Sequence, residues 1–583
     1  MLGGMAEILS IQHERVDDVP LIIGVANCLG LADLLNRHLG THGSQQGLHN
    51  GQLAVGWLAY ILSQADHRKS AVQDWANGLS HTLHHLLGQP IRTVDFSDDR
   101  LGALLHRLSN DAAWEAIEQD LWAASVTVYD LPLDGVRLDA TTSAGYHQPQ
   151  PDGLMQHGHS KDHRPDLPQF KLMAAAAEPT GQLIASDLAP GQSADDSLYT
   201  PLLRRVRTLL GRRGLLYSGD CKMAARAIRA DIVAHGDFYL TALPHTGETA
   251  REFDEWVNAI VDGNQTATLI WDGDELIGAG YEFERPQTAT YTDAQGHPQT
   301  LTWTERVLVT RSRELAHTQA THLEQRLQRA TAALEALTPA PARGKHPIRR
   351  ETDLQQAIQR ILERERVQGL LTVEWEAQTT TVTRYRGRGR PSAQRETFTE
   401  TQVRYVIRRV QRNEAAITAH RYRLGWRAQV TNAPAEQLTM AQAVVRYRGG
   451  WVLERDFRLV KELPLGLSPL FVWKDDQIKG LTRLLTLGLR LLTLIETQVR
   501  QGLRQVGKQL TGLYAGQPTR ETDRPTGKRI LQAFARAQIT LTRVVVGSQT
   551  TWHITALSEL HLQILRYLRL PETLYAALVN NSS

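Results

Sequence analysis

The sequence predicts an α/β protein: a mixed β-sheet flanked by helices, with a helical domain ahead of it and a large α+β insertion within it. Three observations carry this expectation. Leucines recur at helical spacing over residues 1–124. From residue 125, short apolar runs alternate with amphipathic helices. Finally, 234 positions separate Asp220, which closes one such run, from Glu454 on a late amphipathic helix.

Taken in order, Leu101, Leu104, Leu105 and Leu108 mark one helical face, and Ser97-Asp98-Asp99 supplies a start signal before them. Asn50 precedes Leu53, Val55, Leu58 and Leu62 in the same way. Strand-like runs follow at 126–129, 135–138, 169–174 and 182–186. A helix is expected from 195 to 210, a strand at 214–217, a helix at 224–235 and a strand at 237–240. Three consecutive strands, then helix, strand, helix and strand, is the order of an RNase H-like fold, a mixed sheet with helices on both faces. Its first and fourth strands lie side by side. Asp139 and Asp220 would therefore meet, although 81 positions separate them.

A bare core of this kind does not need the chain between 245 and 424, which is assigned to an insertion. Residues 265–312 alternate strand-like runs with turns. In 313–337, Ala316, Ala320, Leu323, Leu327, Ala330, Leu334 and Leu337 form a heptad seam. Pro339 and Pro341 end that helix, and Leu354, Ile358 and Ile361 begin another. An antiparallel helical hairpin is the economical reading, with an intermolecular coiled coil as the alternative. Residues 384–427 then hold twelve Arg against three Glu. This is either an electrostatic footprint for nucleic acid or a solvated charged face. Core pattern resumes at 425–430, and Thr439 with Gln442 makes a capping box. The division is thus 1–124 helical, 125–244 first part of the core, 245–424 insertion, 425–512 second part with the Glu454 helix, and 513–583 C-terminal region.

Composition narrows the class. The net charge of +3 does not announce a nucleic-acid binder, but Arg greatly outnumbers Lys, and Arg suits bidentate phosphate contact. The cysteines Cys28 and Cys221 form no Cys-x-x-Cys pair and suit a reducing cytosol. The N-terminus lacks a basic region followed by an apolar core, so no signal peptide is expected. The apolar stretch 481–495 contains Arg483 and Arg490 and is too short for a bilayer, so a buried helix is expected. A cytoplasmic protein without membrane contact follows from these readings.

Asp139 and Asp220 end short apolar runs, and Glu454 opens a basic amphipathic helix. Three carboxylates so placed suit hard cations such as Mg²⁺. Two such ions roughly 3.5–4 Å apart stabilise both the attacking and the leaving oxygen of a phosphodiester. On the helix, Glu454, Arg458 and Lys461 fall on one face. Gly449-Gly450 disfavours a helix running unbroken from Tyr447, so the Glu454 helix is expected to start near Trp451. Arg388-Gly389-Arg390-Pro391 is similar to an AT-hook core, with a solvated basic loop as the alternative. His157, His159 and His163 fit no common zinc spacing, and His81, His84 and His85 lie on a leucine-rich helix.

Residues 447–461 resemble the Tyr-x2-Arg-x3-Glu-x6-Lys signature of DDE transposases from bacterial insertion sequences. Tyr447, Glu454 and Lys461 fall on it, and Gly450 stands at the Arg position. Residues 158–166, 190–196 and 219–223 resemble one long-chain subfamily, so the likeness runs from about Val16 to the C-terminus. It implies catalytic and metal-holding roles for Asp139, Asp220 and Glu454. It also implies two Mg²⁺ ions, with Mn²⁺ substituting, and DNA contacts from Tyr447 and Lys461. Arg448 or Arg455 would stand in for the signature Arg. Arg458, Arg386, Arg388 and Arg390 are the further DNA contacts expected from charge. The reaction implied is strand cleavage at element ends followed by strand transfer, on double-stranded DNA held by a homodimer. The helical domain would bind ends or a second subunit. The alternatives are a DNA-binding protein of the same fold without the chemistry, and a nuclease without strand transfer.

Overall fold

The structure is a computed structural model and describes residues 9–40, 46–293, 295–340, 346–390 and 394–579. Its strands are β1 (Leu9–Arg15), β2 (Gly135–Ala144), β3 (Gln169–Glu178), β4 (Gln182–Pro190), β5 (Leu216–Gly219), β6 (Phe238–Ala242), β7 (Thr268–Asp272), β8 (Glu275–Thr292), β9 (Pro298–Ser312), β10 (Leu371–Tyr385), β11 (Thr397–Arg412), β12 (Trp426–Thr431), β13 (Thr540–Val546) and β14 (Gln549–Ile554). Nine of them form one sheet in the order β4-β3-β2-β5-β6-β12-β9-β8-β7. The first five are the expected RNase H-like arrangement. The strands β2, β3 and β4 form an antiparallel meander, and β5 pairs parallel with both β2 and β6.

Side-chain alternation assigns the two faces of this sheet. Val136, Leu138 and Ala140 of β2 join Met173, Ala175 and Ala177 of β3 under helices Asp195–Leu210 and Arg226–Ala234. Phe170, Leu172, Ala174 and Ala176 point the other way, into a core shared with Leu453, Phe457 and Val460. Residues 137 and 139 therefore lie on the face that the Glu454 helix covers.

The helical region is not self-contained. Its buried apolar residues from Val16 to Leu131, Trp122 excepted, form one continuous core with helix Asp475–Val506 and with Ile530, Phe534, Ile564 and Tyr575 of the C-terminal region. In addition, β1 pairs along its whole length with β13. Helix Asp475–Val506 thus works as a central post, as expected for a buried 481–495 stretch. Within it Arg483 and Arg490 are buried on carboxylate partners, Asp111 and Glu118. Among the described residues no single helix is long and apolar enough to cross a membrane.

Two local expectations are corrected. Residues 126–129, expected as a strand, are the last turn of helix Asp111–Tyr129. Tyr129 and Trp122 are buried there, and that tertiary packing overrides the β-propensity of Val126, Thr127 and Val128. Asn50 does not cap its helix: His49 holds the cap position, and the Asn50 amide donates to the Gly40 carbonyl at 2.6 Å.

The insertion is of two kinds. Strands β7–β9 extend the core sheet, with β9 antiparallel to β12. Beyond them, helix Arg313–Glu335 buries Leu323, Leu327, Ala330 and Leu334 against Leu354, Ile358, Ile361 and Leu362 of helix Glu351–Glu365. The heptad seam is thus closed within the chain. The antiparallel ribbon β10–β11 packs on the same small core.

Candidate active site

Parallel pairing between β2 and β5 ends at Leu138 opposite Gly219, so Asp220, just past the end of β5, comes beside Asp139. Asp139 lies in the middle of β2 rather than at its end, because β2 runs on to Ala144 against β3. The third acid comes from the helix. Thr439 and Gln442 form the expected capping box for helix Met440–Arg448, which stops at Gly449-Gly450, and a new helix, Trp451–Lys461, begins. Glu454 sits exposed in its first turn. Asp139, Asp220, Tyr447, Arg448 and Glu454 all line one cleft of about 840 Å³.

Each acid has its own setting. The Asp139 carboxylate accepts from the Ala140 amide at 2.7 Å and lies 3.6 Å from the Lys161 ammonium. Burial pushes Asp139 up to about 6; Lys161 opposes the rise, while the charges of Asp220 and Glu454 add to it. Asp220 accepts from the Tyr199 hydroxyl at 2.7 Å and from the Lys222 amide at 2.9 Å. The Tyr447 hydroxyl is raised to about 12, mainly by burial and then by Asp220.

The other expected contacts divide. Arg448 lines the cleft, 3.6 Å from Glu314. Arg458 is exposed one turn after Glu454. Lys461 donates to Asp162 at 2.6 Å, tying the helix to the β2–β3 connection. Arg455 does not join them. It is half-buried and held by Asp456 at 2.9 Å and by Glu496 of the central post, because one helical step turns it away from Glu454. Arg386, Arg388 and Arg390 lie at the far end of the β10–β11 ribbon, and none of them lines the cleft. Pro391 of the AT-hook-like run lies outside the described residues.

Three contributors were missed by sequence reasoning. Lys161 and Asp162 stand in the 158–166 segment already singled out, so only their roles were unread. Tyr199 carried no signal: it is an ordinary apolar-face residue of its helix until the fold brings it to Asp220.

Among the described residues, no three His, Cys, Asp or Glu side chains stand close enough to cage a metal ion as they lie. The donor set nonetheless suits a divalent cation. It is all carboxylate oxygen, and a bound cation would offset both the burial that raises Asp139 and the smaller repulsion from Asp220 and Glu454. The raised Asp139, held up chiefly by burial, sets a pH dependence. Asp139 titrates near 3.8 when unfolded and about 6 when folded, so stability is fullest below 3.8 and falls as pH rises through 6. Asp139→Asn should therefore raise the melting temperature at pH 7.5 in chelator, by up to ~3 kcal/mol in stability. The gain should vanish near pH 3.5; an equal gain at both pH values would contradict this origin.

An RNase H-like sheet with three acids in one cleft defines a class of metal-dependent phosphoryl-transfer proteins. The chain belongs to the transposase DDE domain family, which matches residues 131–471, more than half of its length and a span within which all three acids lie. It is similar to a solved piggyBac transposase synaptic complex with hairpin DNA, at TM-score 0.24 and 9% identity. That likeness covers 50% of this chain and 63% of the other, less than two thirds of the latter's length. No curated protein matches the chain significantly in sequence.

Proposed function

We propose that this protein is a transposase that cuts DNA at insertion-sequence ends and joins the cut ends to a target. The observation that carries the reading is the convergence of Asp139, Asp220 and Glu454 on one cleft inside a transposase DDE domain. Asp139, Asp220 and Glu454 would hold two Mg²⁺ ions, with Mn²⁺ substituting, which supply charge neutralisation at the attacking and leaving oxygens. Tyr199 fixes Asp220 through its hydroxyl, and Lys161 balances the acids beside Asp139. Tyr447 and Arg448 of the cleft wall, with Arg458 and Lys461 further along the Glu454 helix, would present polar and cationic groups to the phosphate backbone. Joining two ends to one target calls for two such sites, hence a homodimer on double-stranded DNA, acting in the cytoplasm.

The test is incubation of the purified chain with a duplex carrying the inverted repeats that flank its coding region, in Mg²⁺. Nicked ends and joined products support the proposal. Binding without nicking would leave a DNA-binding protein, and nicking without joined products a nuclease.

The β10–β11 ribbon is the second DNA contact proposed. Its positive excess is smaller than its Arg count, since Arg384 pairs with Glu400, Arg408 with Glu376 and Arg412 with Glu324. Near the tip, Arg386 has, among the described residues, an exposed pair with Glu396 at 3.3 Å. Neutralising Arg386, Arg388 and Arg390 together should weaken duplex binding and flatten its salt dependence by roughly 0.9 for each phosphate left without its cation. A gel shift across a salt series measures it, and an unchanged slope would remove the ribbon from the interface.

A further inference from the structure

Arg137 lies two residues before Asp139 on β2 and so points to the same face of the sheet. Its side chain is only 8% exposed, which makes it a buried cation at the wall of the cleft. Two of its nitrogens are committed. Nε donates to Glu178 at 2.7 Å, and Nη2 approaches Glu178 at 2.6 Å and donates to the Arg446 carbonyl at 2.7 Å. Glu178 also takes Arg446 at 2.6 Å, so one carboxylate serves two guanidinium groups and the cluster keeps a net positive charge. Among the described residues, Nη1 has no hydrogen-bond partner. A Cβ built on Gly450 would sit 3.2 Å from Nη1. Since Gly450 has no side chain, nothing of its own stands between Nη1 and the cleft lined by Asp139, Asp220 and Glu454.

We propose that Arg137 binds a DNA phosphate in the catalytic cleft, donating from Nη1 through the gap left by Gly450. The inference rests on the transposase reading and adds a substrate-binding residue to it. Glu178 and the Arg446 carbonyl fix the guanidinium plane from behind, so the free end is presented without further ordering. The residue is supplied by a strand, two positions from a catalytic acid, whereas the signature position, in the turn before the Glu454 helix, is empty of side chain. A planar fork is required: a single ammonium at this position would be taken by Glu178 and could not also reach a phosphate.

The test uses Arg137→Gln, Arg137→Lys and the pair Arg137→Gln with Gly450→Arg, in the full-length chain, with a fluorescent duplex carrying the flanking inverted repeats. Arg137→Gln should lower the salt slope of binding by about 0.9 and slow cleavage at least tenfold. In the double variant, the guanidinium introduced by Gly450→Arg enters the cleft from the turn before the Glu454 helix and should restore both. Arg137→Lys keeps the Glu178 partner, so it remains informative if the Gln variant melts at the assay temperature; it should show the slowed cleavage too. Parental slope and rate in the Lys or the Gln variant would overturn the proposal. So would slowed cleavage with an unchanged slope and no recovery in the double variant, since that marks a purely structural role. A parental chain that neither binds nor cuts the duplex would sink the transposase reading itself, a separate outcome.

Discussion

Asp139→Asn, Asp220→Asn and Glu454→Gln should each abolish DNA nicking and joining in Mg²⁺ and in Mn²⁺ while leaving duplex binding intact. Each change keeps side-chain shape and removes one negative charge. The acids share one cleft, and the charges of Asp220 and Glu454 are felt at Asp139, so they are coupled. Residues that act as one unit fail together, so the triple change should cost no more than the worst single one. Losses of at least about 10³-fold are expected for each, on the scale seen when preorganised charge at a reacting centre is removed. The fold should survive, because Glu454 is exposed and Asp139 is relieved by neutralisation. A Glu454→Gln chain that nicks at the parental rate would remove Glu454 from the site. Asp456 would not replace it without rearrangement, since its carboxylate is buried against Arg455.

Much of this site could be read before the fold was known, and the reason is local. Asp139 and Asp220 each close a short apolar run, and the strand order alone puts those runs side by side. The Gly449-Gly450 break, the helix start at Trp451 and the Thr439–Gln442 capping box depend on backbone preferences that act within a few residues. What sequence could not supply is the direction of side chains toward distant elements. Arg455 is one position from Glu454, yet it is claimed by Glu496, 41 residues later. Arg408 and Arg412 count as free charge along the chain, but Glu376 neutralises the first across the ribbon and Glu324 of helix Arg313–Glu335 the second. The β-branched run 126–128 has strand propensity and still ends a helix, because burial of Tyr129 decides.

Glu118 is the extreme case of a residue whose importance is invisible in sequence, and it carries the largest stability effect expected. Along the chain it is one more acid on helix Asp111–Tyr129. In the fold its side chain is fully buried, and it accepts from Arg490 of the central post, from Arg205 of helix Asp195–Leu210 and from the Ser186 hydroxyl of β4 at 2.8 Å. Burial lowers the Arg490 guanidinium, and Glu118 is what opposes that drop. Glu118→Ala leaves Arg490 as a buried cation without a counter-charge, whereas Arg205 keeps Asp187. Removing one partner of a buried pair costs about 3–5 kcal/mol, a large fraction of a typical fold's total. Glu118→Ala should therefore shift the denaturant midpoint sharply downward and expose the helix Asp475–Val506 junction to limited proteolysis. Glu118→Leu combined with Arg490→Met should recover most of the loss, because an apolar pair of similar volume avoids burying charge at all. The same post carries Glu496, which anchors Arg455 on the helix of Glu454. Cleavage by Glu118→Ala should then drop even at temperatures where the chain remains folded, and return toward parental rates in the apolar double variant. A Glu118→Ala midpoint equal to the parental one would mean that the three elements are held by apolar packing alone.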